Sequence, residues 1–192
     1  MRKITCIVGS PRTNGSSDYL VDALINEINE EKIEVKKYSI SQCDINYCCG
    51  CKKCYVNGSC IYDDDVIKII TDILTSDYVI IVSPSYWADV PGKLKTLFDR
   101  TTPFGDTNPN RTIKSNKSAK GIAIAVRAGS HHEENELILN SIEHYFGHLG
   151  IKTVKRISVC RTNTLSDLLE TQTEVIDEVK NIGKSISAEL SL

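Results

Sequence analysis

Five short apolar runs, each followed by a stretch with helical spacing, constrain the fold of this 192-residue chain more than any other feature. The first, at 4–8, stops at Gly9-Ser10-Pro11, and from Ser17 onward Leu20, Val21, Leu24, Ile25 and Ile28 recur on one helical face. Residues 33–38 alternate apolar with charged side chains, as a strand with one wet face does, which predicts an edge position. Asp63-Asp64-Asp65 offers a cap and first-turn carboxylates to a helix carrying Val66, Ile69, Ile70, Ile73 and Leu74. Residues 78–82 are apolar on both faces, the mark of a strand inside a parallel sheet, and Ser83-Pro84-Ser85 ends them. A helix over 90–100, a strand over 121–126, a helix over 133–149, a strand over 154–159 and one closing helix over 165–190 complete the order.

Strands thus alternate with helices from end to end, with no repeat, low-complexity tract or linker, so residues 1–192 are expected to form a single domain. Right-handed crossovers leave few topologies for such an order. The predicted fold class is α/β: a flavodoxin-like, doubly wound, five-stranded parallel sheet with helices on both faces. A chain of this length buries roughly 70% of its unfolded surface, so its stability requires neither metal nor disulfide, and any metal site would serve function. The net charge is -2 and the lysines are scattered among acids, which argues against nucleic acid as a partner. Only five mostly apolar residues separate Met1-Arg2-Lys3 from Gly9-Ser10-Pro11, too few for a signal-peptide core or a membrane span. A cytoplasmic protein with no membrane partner is expected. The stretch 102–118 is polar, with Pro103, Gly105, Pro109 and three asparagines, and reads as a long surface loop or lid.

In a sheet of this kind ligands sit beyond the carboxyl ends of the strands. The first such loop places Ser10, Arg12, Asn14, Ser16 and Ser17 between a strand and a helix start, where free N–H groups and the helix dipole favour an anion. An ordinary capping turn is the rival reading of the same residues. The absence of a Walker lysine and of GxGxxG argues against a triphosphate or a Rossmann dinucleotide site. The second loop, Ser83-Pro84-Ser85-Tyr86-Trp87-Ala88, carries the only tryptophan beside a tyrosine and suits either a flat ligand or a hydrophobic plug. The third, Arg127-Ala128-Gly129-Ser130-His131, is placed to reach the same ligand edge.

Gly9-Ser10-Pro11-Arg12 with Asn14-Gly15-Ser16-Ser17, then Ser83 to Trp87, then Pro91-Gly92-Lys93-Leu94-Lys95 through Phe98-Asp99-Arg100, resemble the NADPH-dependent FMN reductase family over most of the chain. The resemblance implies that Ser10, Arg12, Asn14, Ser16 and Ser17 hold the phosphate of FMN. It implies too that Pro84, Ser85, Tyr86, Trp87 and Ala88 border the flavin, with Gly129 and Ser130 at its edge. The third loop departs from the family in being poorer in glycine. NAD(P)H is implied as transient co-substrate, and a homodimer or homotetramer as the assembly. Hydride transfer needs donor and acceptor aligned about 3–3.5 Å apart rather than a side-chain acid or base, so no catalytic residue is expected.

Six of the eight cysteines crowd the segment 43–62. Cys48, Cys51, Cys54 and Cys60 form C-x2-C-x2-C-x5-C, close to the run by which bacterial ferredoxins hold iron and sulfide, although Ile61 stands where those carry proline. Gly50 and Gly58 permit tight backbone turns there, and Cys49 is expected to point elsewhere. Followed by Asp63-Asp64-Asp65, this spacing resembles the iron-sulfur flavoprotein branch of the family, which implies a 4Fe-4S cluster exchanging electrons with FMN. Four cysteines also satisfy tetrahedral zinc, and an empty loop stays open as well. Cys6 and Cys160 read as small buried hydrophobes. The expectation is an FMN-dependent oxidoreductase serving a small-molecule electron acceptor or a ferredoxin-like partner. The alternative is a non-enzymatic flavin- or zinc-binding module that senses redox state and contacts another protein.

Overall fold

The computed structural model describes residues 1–191. Five parallel strands, β1 (Arg2–Val8), β2 (Ile33–Ser39), β3 (Tyr78–Pro84), β4 (Lys120–Val126) and β5 (Lys152–Val159), lie in the order β2-β1-β3-β4-β5. That is the flavodoxin-like order, and it places β2 at an edge as its alternating pattern predicts. β1 and β3 pair in register from Ile4 opposite Tyr78 to Val8 opposite Val82.

The period-2 alternation of side chains sends each interior strand into two cores. Ile7, Val79 and Ile81 face α3 (Val66–Thr75), α4 (Gly92–Arg100) and α5 (His132–His148), packing with Ile69, Leu94, Leu97 and Phe146. Ile4, Cys6, Ile80 and Val82 face the other way, toward Leu20 and Leu24 of α1 (Ser16–Ile25) and Val179 and Ile186 near the carboxyl terminus. Continuous apolar runs in β1 and β3 follow directly from this burial on both sides.

Four details differ from the sequence expectation. The closing helix breaks at Gln172 into α6 (Leu165–Thr171) and α7 (Thr173–Leu190). Gln172 leaves helical geometry at φ -122°, ψ 35°, and its Nε2 donates to the Cys160 carbonyl at 3.2 Å. A short helix, α2 (Lys53–Asn57), interrupts the cysteine segment and ends at Gly58, whose φ is +73°. A Cβ there would meet the Asn110 carbonyl oxygen at 2.2 Å, so both the turn and the close approach require glycine. Asp65, at the N-cap of α3, spends its carboxylate on the Asp44 N–H at 2.7 Å, leaving Asp64 to accept from Val66 N at 3.3 Å.

The segment 102–118 is not a lid over the strand ends. Pro103 and Phe104 are buried, and Asn108 is buried with its Nδ2 donating to the carbonyls of Pro103 (2.8 Å) and Cys54 (3.2 Å). Asn110 Nδ2 reaches the Tyr55 carbonyl at 2.5 Å. Asn110 answers the open Tyr55 carbonyl and Asn108 adds a second bond to the Cys54 carbonyl, which already accepts from Gly58 N, so the segment is the platform on which the cysteines rest. Among the described residues no helix is long and apolar enough to cross a membrane.

Candidate functional site

The loops after β1, β3, β4 and β5 enclose a cavity of about 330 Å³, within the size range of small-molecule sites. Ser10, Arg12, Asn14, Ser16 and Ser17 line it with Thr13 and Gly15; Pro84, Ser85 and Tyr86 add a second wall. Gly9 N donates to the Val82 carbonyl at 2.8 Å, which holds the start of the first loop against β3. Ser10 Oγ then accepts from Arg12 N at 3.1 Å, and Asn14 adopts φ +56° with its N–H bonded to Asp18 Oδ2 at 3.1 Å.

This loop delivers the chain to α1 with Gly15 as N-cap, which brings no side-chain acceptor. Among the described residues, the N–H groups of Ser16, Ser17 and Asp18 therefore donate to nothing, and the helix dipole adds partial positive charge at that end. Arg12 and Arg127 are the cations of the lining, and no carboxylate belongs to it. The Nε of Arg127 is buried without a partner, while Nη1 donates to the His131 carbonyl at 2.6 Å and Nη2 pairs with Glu134 Oε2 at 3.0 Å, so its charge is already compensated. Pro84, Tyr86, Val126, Ala128 and Leu165 supply apolar and flat surface. A ligand with an anionic end and a planar apolar body meets complementary chemistry at both, so the residues present fit FMN.

Four expected contacts fall outside this cavity. Tyr86 N donates to the Asp89 carbonyl at 2.9 Å and Asp89 N returns to Tyr86 at 3.2 Å, making a two-residue turn with Trp87 at φ +56° and Ala88 at φ +60°. Both central residues are left-handed, as in a type I′ turn, and the turn throws Trp87 outward until it is fully exposed. Ala88 turns away with it. Gly129 and Ser130 are also outside, because Arg161 N bonds to the Gly129 carbonyl and Thr162 N to that of Arg127, both at 2.9 Å. This pairing turns Arg127 and Ala128 inward instead.

Arg127 and Ala128 of the third loop line the cavity in place of Gly129 and Ser130, and Thr162, Asn163 and Thr164, which the sequence did not single out, line it as well. Arg12 Nη1 donates to the Asn163 carbonyl at 2.7 Å and Ser16 Oγ to the Thr164 carbonyl at 3.0 Å, locking the first loop to the last. Two signals could have found this wall. A parallel sheet sends the end of β5 to the same rim as the other strands, and Thr164-x-x-Asp167 is a capping box that marks a helix start there.

Cys48, Cys51, Cys54 and Cys60, with Cys49, border a second cavity of about 140 Å³ walled by Tyr62, Arg100, Thr102 and Pro103. All eight cysteines are free. Burial raises the Cys54 pKa, and the neighbouring Cys60, Cys51 and Cys48 raise it further. A backbone hydrogen bond from Cys51, helped by the Tyr62 hydroxyl, lowers the pKa of exposed Cys49. Among the described residues no group of three or more His, Cys, Asp or Glu is placed to hold a metal ion. Four cysteines lining one cavity supply the thiolate donors that an iron-sulfur core requires.

The cysteine segment is tied down at both flanks by one buried ion pair. Arg100, 2% exposed, donates from Nη1 to Asp64 Oδ2 at 2.7 Å and from Nη2 to Asp64 Oδ1 at 3.0 Å. Nη1 also reaches the Asn46 carbonyl at 2.6 Å, and Asn46 N donates to Asp64 Oδ2 at 3.0 Å. Burial works against the carboxylate, yet the Arg100 and Asn46 hydrogen bonds hold the Asp64 pKa below its ordinary value. The guanidinium lies over the Tyr62 ring at 4.7 Å. The two isolated cysteines match the bland expectation: both are buried, and burial pushes the Cys6 thiol up to about 12.

Residues 2–164 match the sequence profile described as NADPH-dependent FMN reductase. The chain is 39% identical over 103 residues to an iron-sulfur flavoprotein of Archaeoglobus fulgidus, covering 54% of this chain and 47% of that one, just under half its length. It is 34% identical over 145 residues to an iron-sulfur flavoprotein of Methanocaldococcus jannaschii, covering 75% and 70%. An NAD(P)H:quinone oxidoreductase from Methanothermobacter marburgensis shares the fold, with a TM-score of 0.71 at 14% identity over 96% of this chain and 95% of that one.

Proposed function

Because the chain belongs to the NADPH-dependent FMN reductase family of flavodoxin-like oxidoreductases, we propose that it binds FMN in the strand-end cavity and draws electrons from NAD(P)H. The observation that carries this reading is the pair of unpartnered N–H groups at Ser16 and Ser17, set beside Arg12 in a cavity whose lining holds no carboxylate. Bound FMN supplies the redox chemistry, taking an electron pair from a nicotinamide and passing electrons on singly or together. The protein's part is to bind and orient. Ser10, Arg12, Asn14, Ser16 and Ser17 hold the phosphate end, Arg127, whose Nη2 pairs with Glu134, offers its unpartnered Nε–H, and Pro84, Ser85 and Tyr86 form the wall along the ring. No side chain is required as acid or base.

We assign to Cys48, Cys51, Cys54 and Cys60 a 4Fe-4S cluster. Four free thiols lining one cavity and the similarity to iron-sulfur flavoproteins support it. Free cysteines in this number suit the reducing cytoplasm. The electron acceptor is a small molecule or a ferredoxin-like protein, and a homodimer or homotetramer would cover the exposed Trp87 near the cavity mouth.

Anaerobic purification followed by assay of FMN, iron, sulfide and the visible spectrum tests both assignments. Yellow-brown protein with FMN and four irons per chain is expected, with Cys51→Ser losing iron while keeping FMN. Protein that stays colourless and takes up no FMN refutes the flavin site. Iron-free protein whose Cys51→Ser variant keeps full activity refutes the cluster, and flavin-loaded protein that oxidises neither NADH nor NADPH refutes the enzyme.

A further inference from the structure

Arg100 is the only arginine or lysine that is buried among the described residues, and it stands in the wall of the cysteine cavity. A guanidinium has five N–H donors in a fixed plane. Nη1 and Nη2 of Arg100 are engaged by Asp64 and the Asn46 carbonyl, but Nε is buried with no partner. A buried donor left without an acceptor is costly, and in a native site it calls for an acceptor. Cys60 lines both of the cavities that Arg100 lines, which makes its sulfur the acceptor nearest in kind.

We propose that Arg100 is a positioning residue for the redox group held by Cys48, Cys51, Cys54 and Cys60, donating through Nε–H to sulfur on the Cys60 side and stabilising the reduced state. The inference rests on the cluster assignment above. Gain of one electron makes a thiolate-bound iron-sulfur core more negative by one charge, and its potential responds to nearby charge and to hydrogen bonds at sulfur. Arg100 brings both. Asp64 offsets part of the charge but fixes the plane of the guanidinium by accepting at two points, and Tyr62 covers its face. Lysine has no such plane, so the geometry selects arginine.

The experiment compares wild type, Arg100→Gln, Arg100→Lys and the double variant Asp64→Asn/Arg100→Gln. All are loaded anaerobically with FMN, iron and sulfide and titrated with dithionite under potentiometric control. Arg100→Gln is expected to keep its iron and move the cluster potential negative while the FMN potential stays put. The double variant, which leaves no unpaired carboxylate, shifts the same way by less. A wild-type cluster potential in Arg100→Gln overturns the inference; where that variant does not fold, the same result in the double variant overturns it. Arg100→Lys, which keeps a positive charge but not the plane, is expected to shift the potential by less than Arg100→Gln; if both glutamine variants fold with FMN but without iron, the arginine acts on cluster retention rather than on its potential and the inference is overturned. Wild-type protein that takes up no iron removes the cluster assignment itself, an outcome distinct from an unmoved potential.

Discussion

Replacing Arg12 by alanine separates a phosphate site from a merely well-capped helix. The guanidinium is exposed, and Nη1 already donates to the Asn163 carbonyl at 2.7 Å, so its remaining donors and its charge are what a phosphate would gain. A hydrogen bond to a charged group contributes about 1.5–3 kcal/mol, and exposure puts this one at the lower end. About 1.5 kcal/mol corresponds to roughly tenfold in Kd. Quenching of flavin fluorescence, titrated with apo-protein, reads the effect for FMN and for riboflavin, which lacks the phosphate. The expected result is roughly tenfold weaker FMN binding, less than about threefold change for riboflavin, and a difference that shrinks as salt screens the exposed charge. Equal losses for both flavins would show that Arg12 acts only by tethering the first loop to the last. No loss for either would remove the phosphate from this loop altogether.

Two further substitutions probe the framework around the sites. Asp64→Ala strands the Arg100 guanidinium, and with both side chains 1% exposed the loss should be about 3–5 kcal/mol in urea unfolding. Asp99→Ala, which breaks the exposed Lys95–Asp99 pair, should cost only about 0.3–0.5 kcal/mol; comparable losses at the two positions would contradict the burial argument. The folded-state pKa of Asp64 lies below its unfolded value of about 3.9, so its contribution is complete above that pH and is lost as acid takes the pH down through the folded value. Wild type should therefore lose stability more steeply than Asp64→Ala below about pH 4, as acid titrations of the unfolding midpoint would record. Gly183→Ala places a Cβ 2.4 Å from the Leu24 carbonyl oxygen where α7 meets α1. The strain of about 1–3 kcal/mol exceeds a helix-propensity gain of about 1 kcal/mol. A lowered thermal midpoint is expected, and an unchanged or raised one would show that the helices part freely.

The strands, most helices and the edge position of β2 were legible in the sequence because burial periodicity is a local property: two-sided burial writes Ile4 to Val8 and Tyr78 to Val82 as continuous apolar runs. The same locality made the loop from Gly9 to Ser17 readable as an anion site and the C-x2-C-x2-C-x5-C spacing readable as a ligand set. What the sequence could not supply is which distant segments meet. Arg127 and Thr162 to Thr164 join Arg12 in one cavity only because parallel register brings four strand ends to one rim. Trp87, the most suggestive single residue in the second loop, is thrown into solvent by a two-residue turn whose geometry depends on the Tyr86–Asp89 bonds. Residues 102–118 read as a long surface loop or lid from composition, yet their asparagines answer carbonyls of Cys54 and Tyr55 some fifty residues away. The pairing of Arg100 with Asp64 is of the same kind: each residue carries an ordinary surface charge in the sequence, and only packing buries the pair beside the thiols.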